Sequence, residues 1–190
     1  NRIEAFSDGV IAIVVTLLVL ELRVPHLEGA DTAALSAAVA ALAPKFLSFV
    51  MSFVFVAVFW VAHHQLYHPI ERSTPTLLWL NNIFLLCLTF IPFPTAMLGE
   101  YPDNPFAVTF FGAAMLAASL SFSLMRWYAT LKASLAREDI DLQTRQWAMR
   151  RSLIGPGLYL AGIIVTVLNT ALAISIYLVI PLLYLVPVRL

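Results

Sequence analysis

Long uncharged, apolar runs constrain what this chain can fold into more than any other feature of the sequence. The run from Ser152 to Val188 contains no Asp, Glu, Lys or Arg, and neither does the run from Phe46 to Ile70. A helix of roughly 20 apolar residues spans the ~30 Å hydrocarbon core of a bilayer. Of the 190 residues, 61% are hydrophobic and only 12% are charged, too few charges to cover a soluble domain. The sequence therefore predicts an all-α integral membrane protein.

Six stretches are long and apolar enough to be interpreted as transmembrane helices. They lie at about 3–22, 46–68, 75–98, 105–132, 152–168 and 171–187. The last two come from one uncharged run that is too long for a single helix, and Asn169-Thr170 divides it. The polar stretch 133–151 is predicted to be a cytoplasmic linker, and the Ala-rich segment 31–43 a short surface helix or an N-terminal extension of the second span. The whole chain, 1–190, is thus predicted to be a single six-helix membrane domain.

The distribution of Lys and Arg predicts the orientation in the membrane. With six spans, nine of the 11 basic residues fall on one side, and only Arg23 and Lys45 fall on the other. Basic residues are enriched in cytoplasmic loops, so both termini are predicted to lie in the cytoplasm of a multi-pass protein of the cell membrane. The net charge is zero, which gives no reason to expect a nucleic-acid partner. The lipid bilayer is the partner that composition predicts.

An acidic residue lies inside the first predicted span. Asp8 is nearly two helical turns from Arg2, and ionisable groups within spans are costly unless they are paired or face water. Two interpretations stay open. Asp8 belongs to a structural polar network that ties helices together, or it lies at the inner mouth of an ion pathway and attracts cations, and both can hold at once.

The rest of the first span carries a stripe of residues at helical spacing. Ile13, Thr16, Leu17 and Leu20 fall at i, i+3, i+4 and i+7 and therefore share one face. In a membrane helix such a stripe usually packs on neighbouring helices or on lipid, and a threonine there bonds its own backbone one turn back. The spacing alone therefore assigns no function.

Three of the four histidines lie together near the end of the second span. His64 and His68 are four residues apart and share a helical face, where two imidazoles could bind a metal. A third ligand from another helix would be needed, and Cys87, the only cysteine, cannot form a multi-cysteine site. Structural hydrogen bonding of His63 and His64, or a proton-sensitive role, are the other interpretations. We predict no metal site.

Two amides in the third span need hydrogen-bond partners. Asn81 and Asn82 lie near the start of the third span, which runs outward across the membrane. His63 lies near the end of the second span, which runs inward, and is therefore at a similar depth. Ser7 and Asp8 lie at a similar depth in the first span. Because buried amides are almost always paired, the sequence predicts one polar network near the cytoplasmic side.

Three motifs resemble those of a known family. The first is Arg2-Ile3-Glu4-Ala5-Phe6-Ser7-Asp8-Gly9, followed by Trp60-x-x-His63-His64 in the second span and by Asn81-Asn82 through Phe90-Ile91-Pro92-Phe93-Pro94-Thr95 in the third. In this order they resemble the transmembrane protein 175 family, the lysosomal potassium channels and their prokaryotic relatives. The six-span layout extends the resemblance over the whole chain.

The resemblance implies a potassium-selective cation channel in which the first helix of each subunit lines a central pore. Animal members carry two six-helix repeats and pair as dimers, so a single repeat implies a homotetramer. By position, Ile13, Leu17 and Leu20 form hydrophobic constrictions and Thr16 adds a hydroxyl layer. The residues implied to hold the first helix in place are Arg2, Phe6, Ser7, Asp8, Trp60, His63 or His64, and Asn81 or Asn82. The resemblance implies no cofactor and K⁺ as the permeant ion, with other monovalent cations as further candidates.

Two other functions stay open from the residues alone. Asp8 and the histidines are compatible with a proton-coupled transporter, and His64 with His68 is compatible with a membrane metalloenzyme. Serine-protease, phosphate-loop and metalloprotease motifs are absent from the sequence. We therefore expect no enzymatic activity.

Overall fold

A computed structural model describes residues 2–27, 29, 31–137 and 141–185, and these residues form a bundle of α-helices. The helices are α1 (Arg2–Leu18), α2 (Thr32–Ala40), α3 (Ala43–Tyr67), α4 (Pro75–Phe90), α5 (Pro92–Glu100), α6 (Pro105–Trp127), α7 (Leu142–Ser152), α8 (Ile154–Thr166) and α9 (Thr170–Leu185). Two of them change helix type at their C-terminal ends. α1 is followed by a 3₁₀ turn at Val19–Glu21, and α6 is followed by a π-helical turn at Tyr128–Lys132. The all-helical prediction is confirmed for the described residues.

Four helical segments are long and apolar enough to cross a membrane. They are Arg2–Glu21, Ala43–Tyr67, Pro75–Glu100 and Pro105–Lys132. The last two helices are shorter: α8 has 13 residues and α9 has 16. At 1.5 Å per residue, α8 is only about 20 Å long, less than a ~30 Å bilayer core. The six-span count and the single-domain division therefore stay predictions, and the end of the last predicted span lies outside the described residues.

The third predicted span, 75–98, is divided into two helices. α4 ends at Phe90 and α5 begins at Pro92, with Ile91 between them. Proline has no backbone N–H and its ring crowds the preceding turn, so the helix breaks there. At this break the Ile91 N–H donates to the carbonyl of Leu88, three residues back, at 3.1 Å, as in a tighter turn. α5 is tied to α3 by a 2.7 Å hydrogen bond between the Ser52 and Thr95 hydroxyls.

The predicted cytoplasmic linker is partly helical. α7 begins after Asp141, whose carboxylate accepts a hydrogen bond from the Thr144 N–H at 2.8 Å, and hydrogen bonding from Thr144 lowers the pKa of the Asp141 carboxyl. Residues 138–140 of the linker lie outside the described part of the chain. Just before them, Ala136 forms an isolated antiparallel bridge with Ile70. The linker therefore packs against the loop that follows α3.

The core between α6, α8 and α9 is built around one tyrosine. Tyr177 of α9 is fully buried, and its ring lies against Gly162 of α8 and Gly112 of α6. A Cβ added at Gly162 would come within 2.2 Å of the Tyr177 ring, and one at Gly112 within 2.1 Å of its hydroxyl. The two glycines therefore allow the three helices to approach closely, as small residues do in membrane proteins.

Gly162→Ala is expected to destabilise the protein by about 1–3 kcal/mol, because the new methyl group overlaps the buried Tyr177 ring. Gly157→Ala, on the same helix, is the matched control. A Cβ at Gly157 meets nothing within 4 Å, so this variant is expected to be as stable as the wild type or more stable by up to about 1 kcal/mol. Thermal denaturation of the purified proteins in one detergent measures both. Equal loss in the two variants would contradict the close packing at Tyr177.

Candidate functional site

One face of α1 and its 3₁₀ turn is open. Ile13, Leu17 and Leu20 are 59%, 41% and 66% exposed, and Thr16 between them is also exposed. We call Ile13, Thr16, Leu17 and Leu20 the exposed stripe. The Thr16 hydroxyl donates a 2.8 Å hydrogen bond to the carbonyl of Ile13. The stripe is therefore available to line a pathway, to contact another subunit or to face lipid.

The opposite face of α1 is packed onto the protein. Ile11, Val14 and Leu18 are at most 3% exposed and contact the buried core, and α1 lies against α3, α4 and α5. Both faces of α1 carry aliphatic side chains, so hydrophobicity alone does not distinguish them. The structure does so through burial.

A buried polar cluster holds the inner end of α1. Asn81 of α4 donates from Nδ2 to the Ser7 Oγ at 3.0 Å, and its Oδ1 lies 2.8 Å from Nε2 of His63 on α3. An amide oxygen only accepts, so this geometry requires the His63 tautomer that carries its proton on Nε2. All three side chains are at most 1% exposed. Three helices are thus joined by one amide.

His63 is also held by aromatic rings. Its imidazole stacks on Tyr67 with ring centroids 4.5 Å apart and on Phe84 at 5.9 Å. Tyr67 and Phe84 are fully buried. The ring position of His63 is therefore fixed by packing as well as by its hydrogen bond to Asn81.

Asp8 takes part in a separate contact at the surface of the subunit. Its Oδ1 accepts a 2.9 Å hydrogen bond from the indole Nε1 of Trp60. Both residues are exposed. The Trp60 ring stacks on His64, with ring centroids 6.4 Å apart, and His64 stacks on His68, with centroids 6.2 Å apart. The Asp8–Trp60 contact lies beside the buried cluster, one residue from Ser7 on α1 and three residues from His63 on α3, and it joins these two helices.

Four predicted network residues make no hydrogen bond in these contacts, although one of them, His64, stacks on Trp60. Arg2, Phe6, His64 and Asn82 are all exposed, and no hydrogen bond links them to the buried cluster or to Asp8 within the described part of the chain. Among the alternatives that the sequence left open, the hydrogen bonds involve His63 and Asn81 rather than their neighbours. The side chains of two adjacent helical residues point about 100° apart, and in each of these pairs only one residue faces the core.

No group of three His, Cys, Asp or Glu side chains among the described residues could hold a metal ion. His64 and His68 do share a face, as their spacing predicts, but a third ligand is missing there. A site with two imidazoles and no third protein ligand does not match the three- and four-ligand zinc sites of proteins.

Sequence reasoning assigned no role to the hydroxyl pair of Ser52 and Thr95. Thr95 ends one of the quoted motifs, but Ser52 has no distinguishing neighbour in the sequence. Both side chains are at most 2% exposed. A small hydroxyl residue in an apolar span is common, and only the distance to its partner identifies it as a link between helices.

Trp60→Phe is expected to lower the stability of the protein by about 1 kcal/mol, because it removes one hydrogen bond to a carboxylate at a partly solvated site. Trp79→Phe is the control, since Trp79 is 70% exposed on α4 and makes no hydrogen bond to the described residues. Thermal denaturation of both variants provides the measurement. If Trp79→Phe lost as much stability as Trp60→Phe, the Asp8 contact would have no stabilising role.

Residues 2–92 match a family model described as "Endosomal/lysosomal potassium channel TMEM175". Over 184 residues, the chain is 36% identical to a protein named as a potassium channel from Chamaesiphon minutus, an alignment that covers 93% of this chain and 88% of that protein. The chain belongs to the TMEM175 family. A second relative, named as a potassium channel from Streptomyces collinus, is 33% identical over 159 residues. That alignment covers 82% of this chain and 76% of that protein.

A solved structure of the TMEM175 family has the same fold. The crystal structure of a lysosomal potassium-selective channel TMEM175 homolog from Chamaesiphon minutus superimposes with a TM-score of 0.86 at 31% identity. The match covers 97% of this chain and 95% of that chain. The described helices, including the short α8 and α9, are therefore arranged as in a TMEM175 family member, and the resemblance noted from the sequence motifs is confirmed.

Proposed function

We propose that this protein conducts K⁺ passively across a membrane, through a pore lined by the exposed stripe of α1. The observation that carries the proposal is the contrast between the two faces of α1. Ile11, Val14 and Leu18 are packed onto the subunit, whereas Ile13 and Leu20 are more than half exposed. The names of the TMEM175 relatives as potassium channels support the choice of ion.

The proposal requires more than one subunit, because a single helix cannot enclose an ion pathway. In a closed ring of identical subunits, each copy presents the same stripe to the axis. We propose a homotetramer, on the basis of the two-repeat, dimeric organisation of animal members described above. The stripe then becomes rings of Ile13, Leu17 and Leu20, with a ring of Thr16 hydroxyls between them.

Rings of aliphatic side chains would control the passage of ions by excluding water. An aliphatic ring offers no oxygen to replace the hydration shell of K⁺, so a narrow ring blocks conduction when it is dry. Thr16 differs from its neighbours in the stripe because its hydroxyl, which donates to the Ile13 carbonyl, has an oxygen that can still accept beside the pathway. We therefore assign Ile13, Leu17 and Leu20 as constrictions and Thr16 as the polar layer.

Two sets of hydrogen bonds hold α1 in a fixed position on its own subunit. The buried Ser7–Asn81–His63 cluster and the Asp8–Trp60 hydrogen bond both lie at the inner end of the helix. A helix that is fixed at one end and open along one face can hold its stripe at a constant distance from an axis. We propose that these contacts position the stripe, and that Arg2, Phe6, His64 and Asn82 act through exposed surface instead.

The proposed membrane arrangement has six spans within one domain and both termini in the cytoplasm of the cell membrane. The distribution of basic residues supports this orientation. α8 and α9 pack on α6 and on each other, so the polar backbone between them is partly shielded by protein. Residue 1 and residues 186–190, which include both ends of the chain, lie outside the described residues.

Flux through purified protein in liposomes tests the proposal. With a K⁺ gradient and an ionophore that carries protons, we expect K⁺ efflux from proteoliposomes and none from protein-free liposomes. Replacing internal K⁺ by Na⁺ is expected to reduce the flux. A proton-coupled transporter would instead show saturable uptake driven by a pH gradient, and the absence of K⁺ flux from both the wild type and Ile13→Asn would refute the channel.

A further inference from the structure

A cavity lies between α1, α3 and α5, at the end of α1 opposite the buried Ser7–Asn81–His63 cluster. Its volume is about 380 Å³, and the 3₁₀ turn after α1, the first turns of α3 and much of α5 contribute to its walls. Apolar side chains such as Leu18 and Phe49 line one part of it, and charged side chains line another. Small-molecule sites in proteins have volumes of roughly 300–1,000 Å³. The cavity is therefore large enough for a ligand that has both a polar and an apolar part.

This cavity lies where three membrane-crossing segments begin or end. Of the segments long and apolar enough to cross a membrane, Arg2–Glu21 and Pro75–Glu100 end beside the cavity, and Ala43–Tyr67 begins beside it. The ends of spanning helices mark the level at which the hydrocarbon core meets the lipid headgroups. A lipid at this level would present its headgroup and the start of its acyl chains to the cavity.

Four charged side chains line the cavity, two acidic and two basic. Lys45 and Glu100 form an ion pair with each other. Glu21 and Arg23 make no ion pair and no side-chain hydrogen bond with any residue in the described ranges. Because the four charges sum to zero, a ligand with a net charge meets no excess of the opposite charge there. One unpaired acid and one unpaired base in one cavity match a zwitterion.

We propose that the cavity binds the zwitterionic headgroup of phosphatidylethanolamine, with its ammonium group at Glu21 and its phosphate group at Arg23. A primary ammonium has three N–H donors for a carboxylate, and a guanidinium donates two parallel hydrogen bonds to phosphate oxygens. The headgroup of phosphatidylcholine has no N–H to donate, and that of phosphatidylglycerol has no positive charge. The apolar lining favours a lipid over a soluble zwitterion, because it can pack against acyl carbons.

The site is separate from the contacts that hold the other end of α1. It depends neither on the permeant ion nor on the number of subunits. Glu21 directly follows Leu20, the last residue of the exposed stripe. A lipid bound to Glu21 would therefore also restrain the turn that carries Leu20.

Native mass spectrometry of the purified protein with added lipid tests the proposal. Phosphatidylethanolamine, phosphatidylcholine and phosphatidylglycerol are the probes, at equal concentrations. We expect the wild type to retain phosphatidylethanolamine in preference to the other two lipids. Glu21→Gln and Arg23→Gln are each expected to reduce that retention by about tenfold, the loss expected for a charge-assisted hydrogen bond. Asp103→Asn and Arg72→Gln are the matched controls, because they remove the same charges from exposed residues outside the cavity, and they are expected to bind like the wild type.

Thermal denaturation in lipid-free detergent separates binding from folding. Glu21 and Arg23 have no side-chain partner to lose among the described residues, so Glu21→Gln and Arg23→Gln are expected to denature at the temperature of the wild type. Loss of lipid at unchanged stability then supports the site. A lower denaturation temperature would show that the two side chains stabilise the subunit itself, and would overturn their assignment to a ligand.

The remaining outcomes also decide. Equal retention of phosphatidylethanolamine by both variants and the wild type would overturn the site, and equal retention of the three lipids by the wild type would overturn the zwitterion. Glycerophosphoethanolamine, the same headgroup without acyl chains, is expected not to displace the lipid at equal concentration. Displacement would support the zwitterion site but overturn the lipid as its source. Potassium flux is a separate readout, so failure here leaves the channel proposal intact.

Discussion

Replacing Ile13 by Asn is expected to raise the resting K⁺ flux of reconstituted protein by at least about tenfold. Removing an aliphatic side chain of this size from a dry ring removes about 1.5–3 kcal/mol of preference for the absence of water, and 1.4 kcal/mol is tenfold in a rate. The Asn amide also offers a carbonyl oxygen to the ion. Because a dry aliphatic ring blocks every hydrated cation, Na⁺ flux is expected to rise together with K⁺ flux.

Ile83→Asn is the control for this change. Ile83 lies on α4 and is 48% exposed, close to the 59% of Ile13, so the same polar group enters an equally open position on another helix. Its flux is expected to equal that of the wild type. Liposome flux with K⁺ or Na⁺ inside measures all three proteins, and an equal increase in both variants would mean that Asn causes a general leak.

Replacing Asn81 by Leu is expected to lower the stability of the protein by about 2–5 kcal/mol. Leu has a similar volume but no amide, so the Ser7 hydroxyl and the His63 Nε2 both lose their hydrogen-bond partner in a fully buried site. Each buried polar group left unpaired costs about 1–3 kcal/mol. α1 is also released from α3 and α4 at its inner end, so any remaining K⁺ flux is expected to be altered.

Asn82→Leu is the matched control, because Asn82 is the next residue on α4 but is exposed. Its stability is expected to change by less than about 0.5 kcal/mol, as for most surface substitutions. Thermal denaturation of the purified proteins, monitored by tryptophan fluorescence, compares them directly. Equal losses in Asn81→Leu and Asn82→Leu would show that the buried cluster does not hold α1.

The positions of most helices follow from the sequence because apolar runs in a membrane have few alternatives. α3 was predicted at 46–68 and spans Ala43–Tyr67, and α4 was predicted to begin at residue 75 and begins at Pro75. The break at Ile91 has its cause in the sequence as well, since Pro92 cannot continue the hydrogen bonds of α4. Prolines are tolerated in many membrane helices, however, so whether such a residue bends or interrupts the helix depends on its neighbours.

The roles of the two faces of α1 could not be predicted from residues alone. Ile11 and Ile13 are the same residue type two positions apart, yet one is 3% exposed and the other 59%. In water, a buried face is apolar and an exposed face is polar, but lipid tails are as apolar as a protein core. The sequence pattern of α1 therefore does not indicate which face is packed against the protein. The family resemblance made that assignment for the stripe.

Whether His63 or His64 bonds the amide of α4 could not be predicted from the sequence either. Their depth in the membrane predicted a meeting with Asn81 or Asn82, but adjacent residues share the same depth. The distinction depends on how α3 is rotated about its axis, and that rotation is set by the packing of Phe55, Phe59 and Leu66 on other helices. Tertiary contacts of this kind are long-range and are not encoded in the local spacing.

Access of a thiol reagent to Thr16 tests most directly whether the exposed stripe lines the pathway. In a Cys87→Ala background, which removes the single native cysteine, we compare Thr16→Cys with Thr89→Cys. Thr89 is an exposed threonine of α4 that bonds the carbonyl three residues back, as Thr16 does. We predict that a charged, water-soluble methanethiosulfonate reagent blocks the K⁺ flux of Thr16→Cys and leaves that of Thr89→Cys unchanged. Unblocked flux through Thr16→Cys, with the reagent shown by mass to be attached, would contradict a pore lined by α1.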